Sequence, residues 1–265
     1  DELGIPYEDV EVQYNDTLGT PFGYGTYGSR SAAVGGTALF NAVQKVKKKA
    51  VRIGAHMLEA SPDDVVFEDG KVSVKGSPDQ AKTIQEIAGA AALGYSLPEG
   101  DEPFLDETAY FDPPNTTWPF GTHICVVEVE KDTGSVMVKK YLAVDDVGNV
   151  VNPMIVDGQI HGGIAQGVAQ ALWESGEYNE SGQLVSGSMM DYAIPRTDCL
   201  PSFELDRTVT PSPTNPLGVK GVGETGTIAS TPAVVNAVMD ALSPFGVTHL
   251  DMPLTSQKIW NAIQS

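Results

Sequence analysis

The sequence predicts an α+β protein built on mixed sheets, and three observations carry that prediction. Strand-like and helix-like segments interleave irregularly, without the regular βαβ repeat of a doubly wound sheet. Residues 64–76 and 122–148 each alternate apolar and polar side chains around a short turn, as antiparallel pairs do. Residues 36–60 repeat their apolar side chains at the three- and four-residue spacings of a helix.

Taken in order, Val10, Val12 and Tyr14 alternate as a short strand before a glycine-rich loop that runs to Ser31. The long helix follows, with Leu39, Val43, Val46, Ala50, Ile53 and Met57 as its buried stripe. The lysine run from Lys45 to Lys49 reads as its solvated face, with a patch for a partner or an anionic ligand as the alternative. Asp69-Gly70 closes the hairpin of residues 64–76. Thr83 to Gly94 then forms a small helix. Residues 95–118, rich in proline and acids, form a long surface excursion and the best internal boundary, dividing the chain into residues 1–110 and 111–265. Two strands flank the turn at Lys131 to Ser135. From Asp157 to Glu174, Ile160, Ile164, Val168 and Leu172 recur every four residues despite the glycines at 158, 162, 163 and 167. Each glycine costs a helix about 1 kcal/mol relative to alanine, so something must pack very close to this backbone. Ser230 to Leu242 and Thr255 to Ile263 open with Ser/Thr caps and close the chain as two short helices.

A chain of 265 residues, 41% of them hydrophobic, can bury one large or two modest cores. No run approaches the roughly 20 apolar residues of a membrane span, and the first residues lack a signal-peptide pattern. Cys125 and Cys199 lie far apart without a CxxC partner, which argues against a disulfide framework or an iron–sulfur or zinc site in this chain and suits a reducing cytoplasm. A net charge of −19 would repel a phosphate backbone, which argues against a nucleic-acid partner.

Several motifs are decoys. Gly23 to Gly28 spell GYGTYG, a formal dinucleotide fingerprint, but no strand leads directly into it and no acid stands about twenty residues on. The triplets at Asn15, Asn115 and Asn179 mark polar loops. His123 and His249 lack metal-ligand spacing, and His161 reads as structural. Two segments carry chemistry. Gly28, Ser29, Arg30 and Ser31, just ahead of the long helix, offer N–H groups and hydroxyls to an anion or a polar ring, or else form a capped turn. In NPLGVKGVGETGTIAS, residues 215–230, four glycines surround Glu224. On such a loop a carboxylate can face a poorly hydrated cavity as a proton acceptor, or simply decorate a surface turn.

Three stretches, GTYGSRSAAVGG, VDDVGNVVNPMIVDGQIHGGIAQGVAQAL and GVKGVGETGTIASTPAVVNAV, occur in that order. Together they resemble the molybdenum-binding large subunit of the xanthine dehydrogenase, aldehyde oxidase and carbon monoxide dehydrogenase family. Their wording is most similar to prokaryotic carbon monoxide dehydrogenase-like subunits. The resemblance implies a mixed-sheet cofactor-binding domain of two intertwined subdomains. It implies a molybdopterin cytosine dinucleotide cofactor whose molybdenum takes no protein side chain as ligand. Glu224 matches the glutamate that acts as base toward the metal-bound hydroxyl, and Lys220, Val222 and Gly223 match its supporting loop near the pterin, which makes them expected cofactor-binding residues. Gly28, Ser29, Arg30 and Ser31 match the loop that holds pterin and phosphate, and Gln159 matches a cofactor-contacting glutamine on the glycine-rich helix. The implied activity oxidises carbon monoxide, an aldehyde or an N-heteroaromatic with oxygen from water.

The family's large subunit is longer, so the resemblance implies a fragment or a split subunit that catalyses only with a companion polypeptide carrying the N-terminal half. It also implies an iron–sulfur small subunit, an FAD medium subunit and a dimer of such heteromers. The expected location is the cytoplasm or the inner face of the membrane. Copper enters only in a true carbon monoxide dehydrogenase, and neither Cys125 nor Cys199 matches its cysteine. The competing reading is a cofactor-free structural or interaction domain derived from this fold, which has no need of Glu224 or of an intact GSRS loop.

Overall fold

The amphipathic stripe of residues 36–60 forms helix α1 (Thr37–Met57) in the computed structural model, which describes every residue except 15, 21 and 22. The triplet at Asn15 lies outside the described residues. A π-type turn at Ala32–Gly36 leads into α1. Two compact units result, one of residues 1–25 and 34–112, the other of residues 26–33 and 113–265.

In the first unit, α1 packs on a three-stranded antiparallel sheet of β1 (Val65–Glu68), β2 (Lys71–Val74) and β3 (Ser77–Thr83). The Asp69-Gly70 turn joins β1 to β2 with φ of 47° and 72°, the left-handed pair that a type I′ hairpin demands. β3 pairs with β2 but carries too few apolar residues to announce itself in the sequence. Helix α2 (Ile84–Leu93) begins with a capping box in which Thr83 and Glu86 each satisfy the other's backbone N–H. Ala50, Ile53, Val65, Val72, Ile87 and Ala91 form the core. Lys49, expected on the wet face, is buried, because it stands three residues after Val46 and four before Ile53 and so falls on the apolar stripe. The expected strand at residues 10–14 is absent. Val10, Val12 and Tyr14 are exposed, and neither sheet pairs with them.

In the second unit, β4 (Phe120–Glu130) and β5 (Ser135–Asp146) form the expected antiparallel pair. β6 (Phe203–Thr208) adds in parallel to β5, so the sheet is mixed. Helix α3 (Pro153–Leu172) lies in the β5-to-β6 connection, the one crossover of this type among the described residues. It starts earlier than its periodicity suggests, because the Asn152 side chain caps it and Pro153 fits its first position. Helix α4 (Thr225–Leu242) packs on α3 and β4, and α5 (Ser256–Gln264), capped by Thr255, packs on β5. Ser230 caps nothing. It sits inside α4, fully buried, and its hydroxyl donates to Gly163 O and Thr227 O. Tyr141, Ile160, Ile164, Val168, Val234, Val238 and Leu242 fill the space between sheet and helices. Each such aliphatic side chain contributes roughly 1.5–3 kcal/mol.

Candidate functional site

The site grows from the carboxyl ends of the parallel strands β5 and β6, where open sheets present their ligand-binding loops. Asp146, last in β5, is buried. It accepts hydrogen bonds from Lys220 Nζ (2.8 Å), Gly148 N (3.0 Å) and Thr208 Oγ1 (3.1 Å). Burial pushes its pKa up, but Lys220 and the other donors, Thr210 included, outweigh that and hold it at about 2. The Lys220 ammonium also lies 4.6 Å from the centre of the Phe120 ring.

The same contacts fasten residues 215–220 to residues 146–149. Lys220 N donates to Val147 O (2.8 Å), and Asn149 N donates to Gly218 O (2.9 Å). The Asn215 side chain brackets Val219, donating to its carbonyl at 3.0 Å and accepting from its N–H at 3.2 Å. Gly221 follows against Ser29, with no room for a side chain, since a Cβ there would stand 2.6 Å from Ser29 Cβ. Val222 packs on the core.

Glu224 heads α4 on an exposed position and makes no capping hydrogen bond. Its Oε2 accepts instead from Ser29 Oγ at 2.6 Å. Gly28 and Ser29 both have left-handed φ, 57° and 55°, so the loop turns sharply at this point. Gln159 on α3 completes the group, with Nε2 3.6 Å from where a Cβ of Gly223 would be. A Cβ built at Gly28, Gly158 or Gly162 would meet nothing within 4 Å, so open space lies at each. Ser29, Gln159, Gly223 and Glu224 therefore meet. The Arg30 guanidinium stacks 4.1 Å from the Tyr27 ring and donates to the Tyr27 hydroxyl at 3.1 Å. The Ser31 hydroxyl pairs with that of Thr26.

Asp146, Asn149 and Asn215 are the residues that sequence reasoning missed. The only signal was an aspartate doublet ending an apolar strand, where alternation must turn one carboxylate inward. The partner doublet residue, Asp145, pairs with buried His123 at 3.2 Å, and Tyr141 OH lies 2.9 Å from His123 Nδ1. His161 stacks on Phe203 with ring centres 5.6 Å apart. Burial pushes the Cys125 thiol up to about 11, so it stays protonated on its strand. Among the described residues, no group of three or more His, Cys, Asp or Glu side chains is clustered to hold a metal ion, and no helix is long and apolar enough to cross a membrane.

Residues 1–201 match the molybdopterin cofactor-binding domain. The carbon monoxide dehydrogenase large chain of Hydrogenophaga pseudoflava is 44% identical over 263 residues, covering 99% of this chain and 32% of that protein. The nicotine 6-hydroxylase large subunit of Paenarthrobacter nicotinovorans is 40% identical over 263 residues, with 99% and 32% covered. A solved carbon monoxide dehydrogenase from Oligotropha carboxidovorans superposes with a TM-score of 0.92 at 40% identity, over 99% of this chain and 32% of that one. The chain thus spans about a third of the length of the relatives it matches. With a family match over most of its length, and relatives similar to it in sequence and in fold over 99% of the chain, the chain belongs to the molybdopterin cofactor-binding domain family.

Proposed function

We propose that this chain is the C-terminal, cofactor-binding portion of the catalytic subunit of a molybdenum hydroxylase, with Glu224 as its base. The observation that carries the reading is the exposed Glu224 carboxylate, held by Ser29 beside Gly223 and Gln159. A broad, flat pterin suits bare backbone, and Gly28, next to Ser29, offers it with open space where a side chain would stand. The polar groups present fit the same ligand: the Gln159 amide and Ser29 hydroxyl can hold it, and Gly223 lets it approach. When bound, the molybdenum cofactor supplies the two-electron redox centre.

The chain's own part in the chemistry is proton transfer. Ser29 donates to Oε2 of Glu224, which fixes the carboxylate plane and leaves Oε1 to accept a proton beside the substrate. Arg30 and Ser31 shape the loop through Tyr27 and Thr26. Lys220 and Val222 support the Glu224 loop from beneath, one through Asp146 and the other through the core.

The finer assignments belong to the same proposal. The cofactor is the cytosine dinucleotide form, and residues 1–110 and 111–265 are the first and second parts of its binding region. Electrons leave through an iron–sulfur small subunit and an FAD medium subunit, in a cytoplasmic assembly that also contains the N-terminal half of the large subunit. The names of the relatives, a large chain and a large subunit, support a multisubunit setting. The substrate is a small electrophile of the class of carbon monoxide, an aldehyde or an N-heteroaromatic; copper applies to the first alone.

Glu224→Gln in the assembled enzyme tests the base. The variant keeps its molybdenum and pterin content while turnover falls by about 1,000-fold or more. Turnover near that of the unmodified enzyme would place the base elsewhere.

A further inference from the structure

We infer that Asp146 is a positioning residue for Glu224, acting through Lys220 to fix the loop that sets the Glu224–Ser29 contact. The inference rests on the reading of Glu224 as base. It follows from a continuous series of contacts that runs from Asp146 to Ser29 and Thr225. Asp146 Oδ1 holds Lys220 Nζ at 2.8 Å, with both side chains nearly excluded from solvent at 0% and 7% exposure. Gly148 N and Thr208 Oγ1 anchor the carboxylate itself to the ends of β5 and β6, so its position is that of the sheet.

From Lys220 the constraint passes along the backbone. A Cβ on Gly148 would lie 3.2 Å from Lys220 N, so the two segments touch main chain to main chain. The next residue, Gly221, abuts Ser29 Cβ and O, where a Cβ would stand 2.6 Å from each. Gly221 O accepts from Thr225 Oγ1 at 3.4 Å, and Thr225 N donates to Val222 O at 3.2 Å. Ser29 and Thr225 are respectively the hydrogen-bond partner and the next neighbour of Glu224. A displacement of Lys220 therefore moves both supports of the carboxylate together. Packed interiors transmit such shifts because they have few voids to absorb them.

Among the described residues, the Lys220 ammonium pairs with Asp146. It lies on Asp146 and the Phe120 ring, and 7% side-chain exposure leaves it little access to a ligand in the Glu224 group, so its expected cofactor contact is replaced by a supporting one. A misplacement of about 1 Å in a catalytic group can cost on the order of 100-fold in rate. Asp146 is thus expected to affect turnover without touching substrate or cofactor.

The experiment uses the assembled holoenzyme carrying Asp146→Asn, Lys220→Arg, the uncharged pair Asp146→Asn/Lys220→Met, and each of these with Glu224→Gln. The double change keeps the test open where a single change leaves a buried charge and the protein fails to fold. Molybdenum and pterin content, kcat, KM and the paramagnetic resonance signal of the half-reduced molybdenum centre are measured. Positioning predicts full cofactor content in the uncharged pair, kcat lower by about 10- to 100-fold, KM within a few-fold, an altered resonance line shape and partial rescue by Lys220→Arg. It also predicts that the changes have little further effect once Glu224 is Gln. Normal kcat in the uncharged pair, with Glu224→Gln inactive, overturns the positioning role alone. Loss of cofactor from that pair also overturns it, by assigning the pair to cofactor retention. Near-normal turnover in Glu224→Gln overturns the base on which the inference depends.

Discussion

An ammonium and a carboxylate, each costly to bury alone, meet 2.8 Å apart at Lys220 and Asp146. Removing only the cation leaves the anion inside the sheet without its strongest donor. Lys220→Met should therefore destabilise the protein by about 3–5 kcal/mol, read from denaturant unfolding, whereas replacing both partners by apolar residues should cost far less. A loss below about 1 kcal/mol in the single variant would show that water reaches the pair. The low pKa of Asp146, about 2, gives the pH dependence its sign. Because the folded value lies below the ordinary value of about 3.9, the contribution is complete above about pH 4 and disappears as pH falls through about 2. The stability gap between the unmodified protein and Asp146→Asn should shrink over that window; a gap independent of pH would remove the assignment. Glu224 and Ser29 were legible as motif residues. Asp146 was not, since its partner stands 74 residues away and nothing local marks the pairing.

At the scale of the element, the glycines of α3 divide into two kinds that share one sequence pattern. Gly163 lies under α4, where a Cβ would stand 2.7 Å from Thr227 N, and Gly167 lies under Ser230, with a Cβ 2.9 Å from its Cβ. Gly158 and Gly162 face open space. Gly163→Ala and Gly167→Ala should each destabilise by roughly 1–3 kcal/mol because two helix backbones must separate. Gly158→Ala and Gly162→Ala should raise the stability of the apoprotein by up to about 1 kcal/mol through helix propensity, and, on the proposed function, lower the molybdenum content of the assembled enzyme. Equal effects at all four positions in thermal unfolding and metal analysis would contradict this division. The sequence announced that something packs closely on α3, but not that α4 is the neighbour on one side. The same blindness to partners explains three further differences. Residues 10–14 alternate like a strand yet find no edge, β6 alternates and finds β5, and Ser230 looks like a cap yet lies inside a helix that began at Thr225.

For the whole molecule, a net charge of −19 makes long-range repulsion a general opponent of compactness. Raising the salt concentration from about 0.01 M to about 0.5 M shortens the screening length from roughly 30 Å to a few ångströms, so the midpoint of thermal unfolding should rise. A falling midpoint would mean that exposed ion pairs outweigh the repulsion. The pattern of apolar spacing by itself determined most helices, two of the three antiparallel pairings and the mixed α+β class, because periods of two and of three to four residues are local properties of the backbone. Motif wording by itself pointed to the cofactor family. Only the tertiary structure decided that residues 26–33 fold with residues 113–265, that Ser29 reaches Glu224, and that Lys220 turns inward to Asp146. Those three facts depend on which distant segments become neighbours. That choice is made by burial and close packing over the whole chain, and no window of sequence contains it.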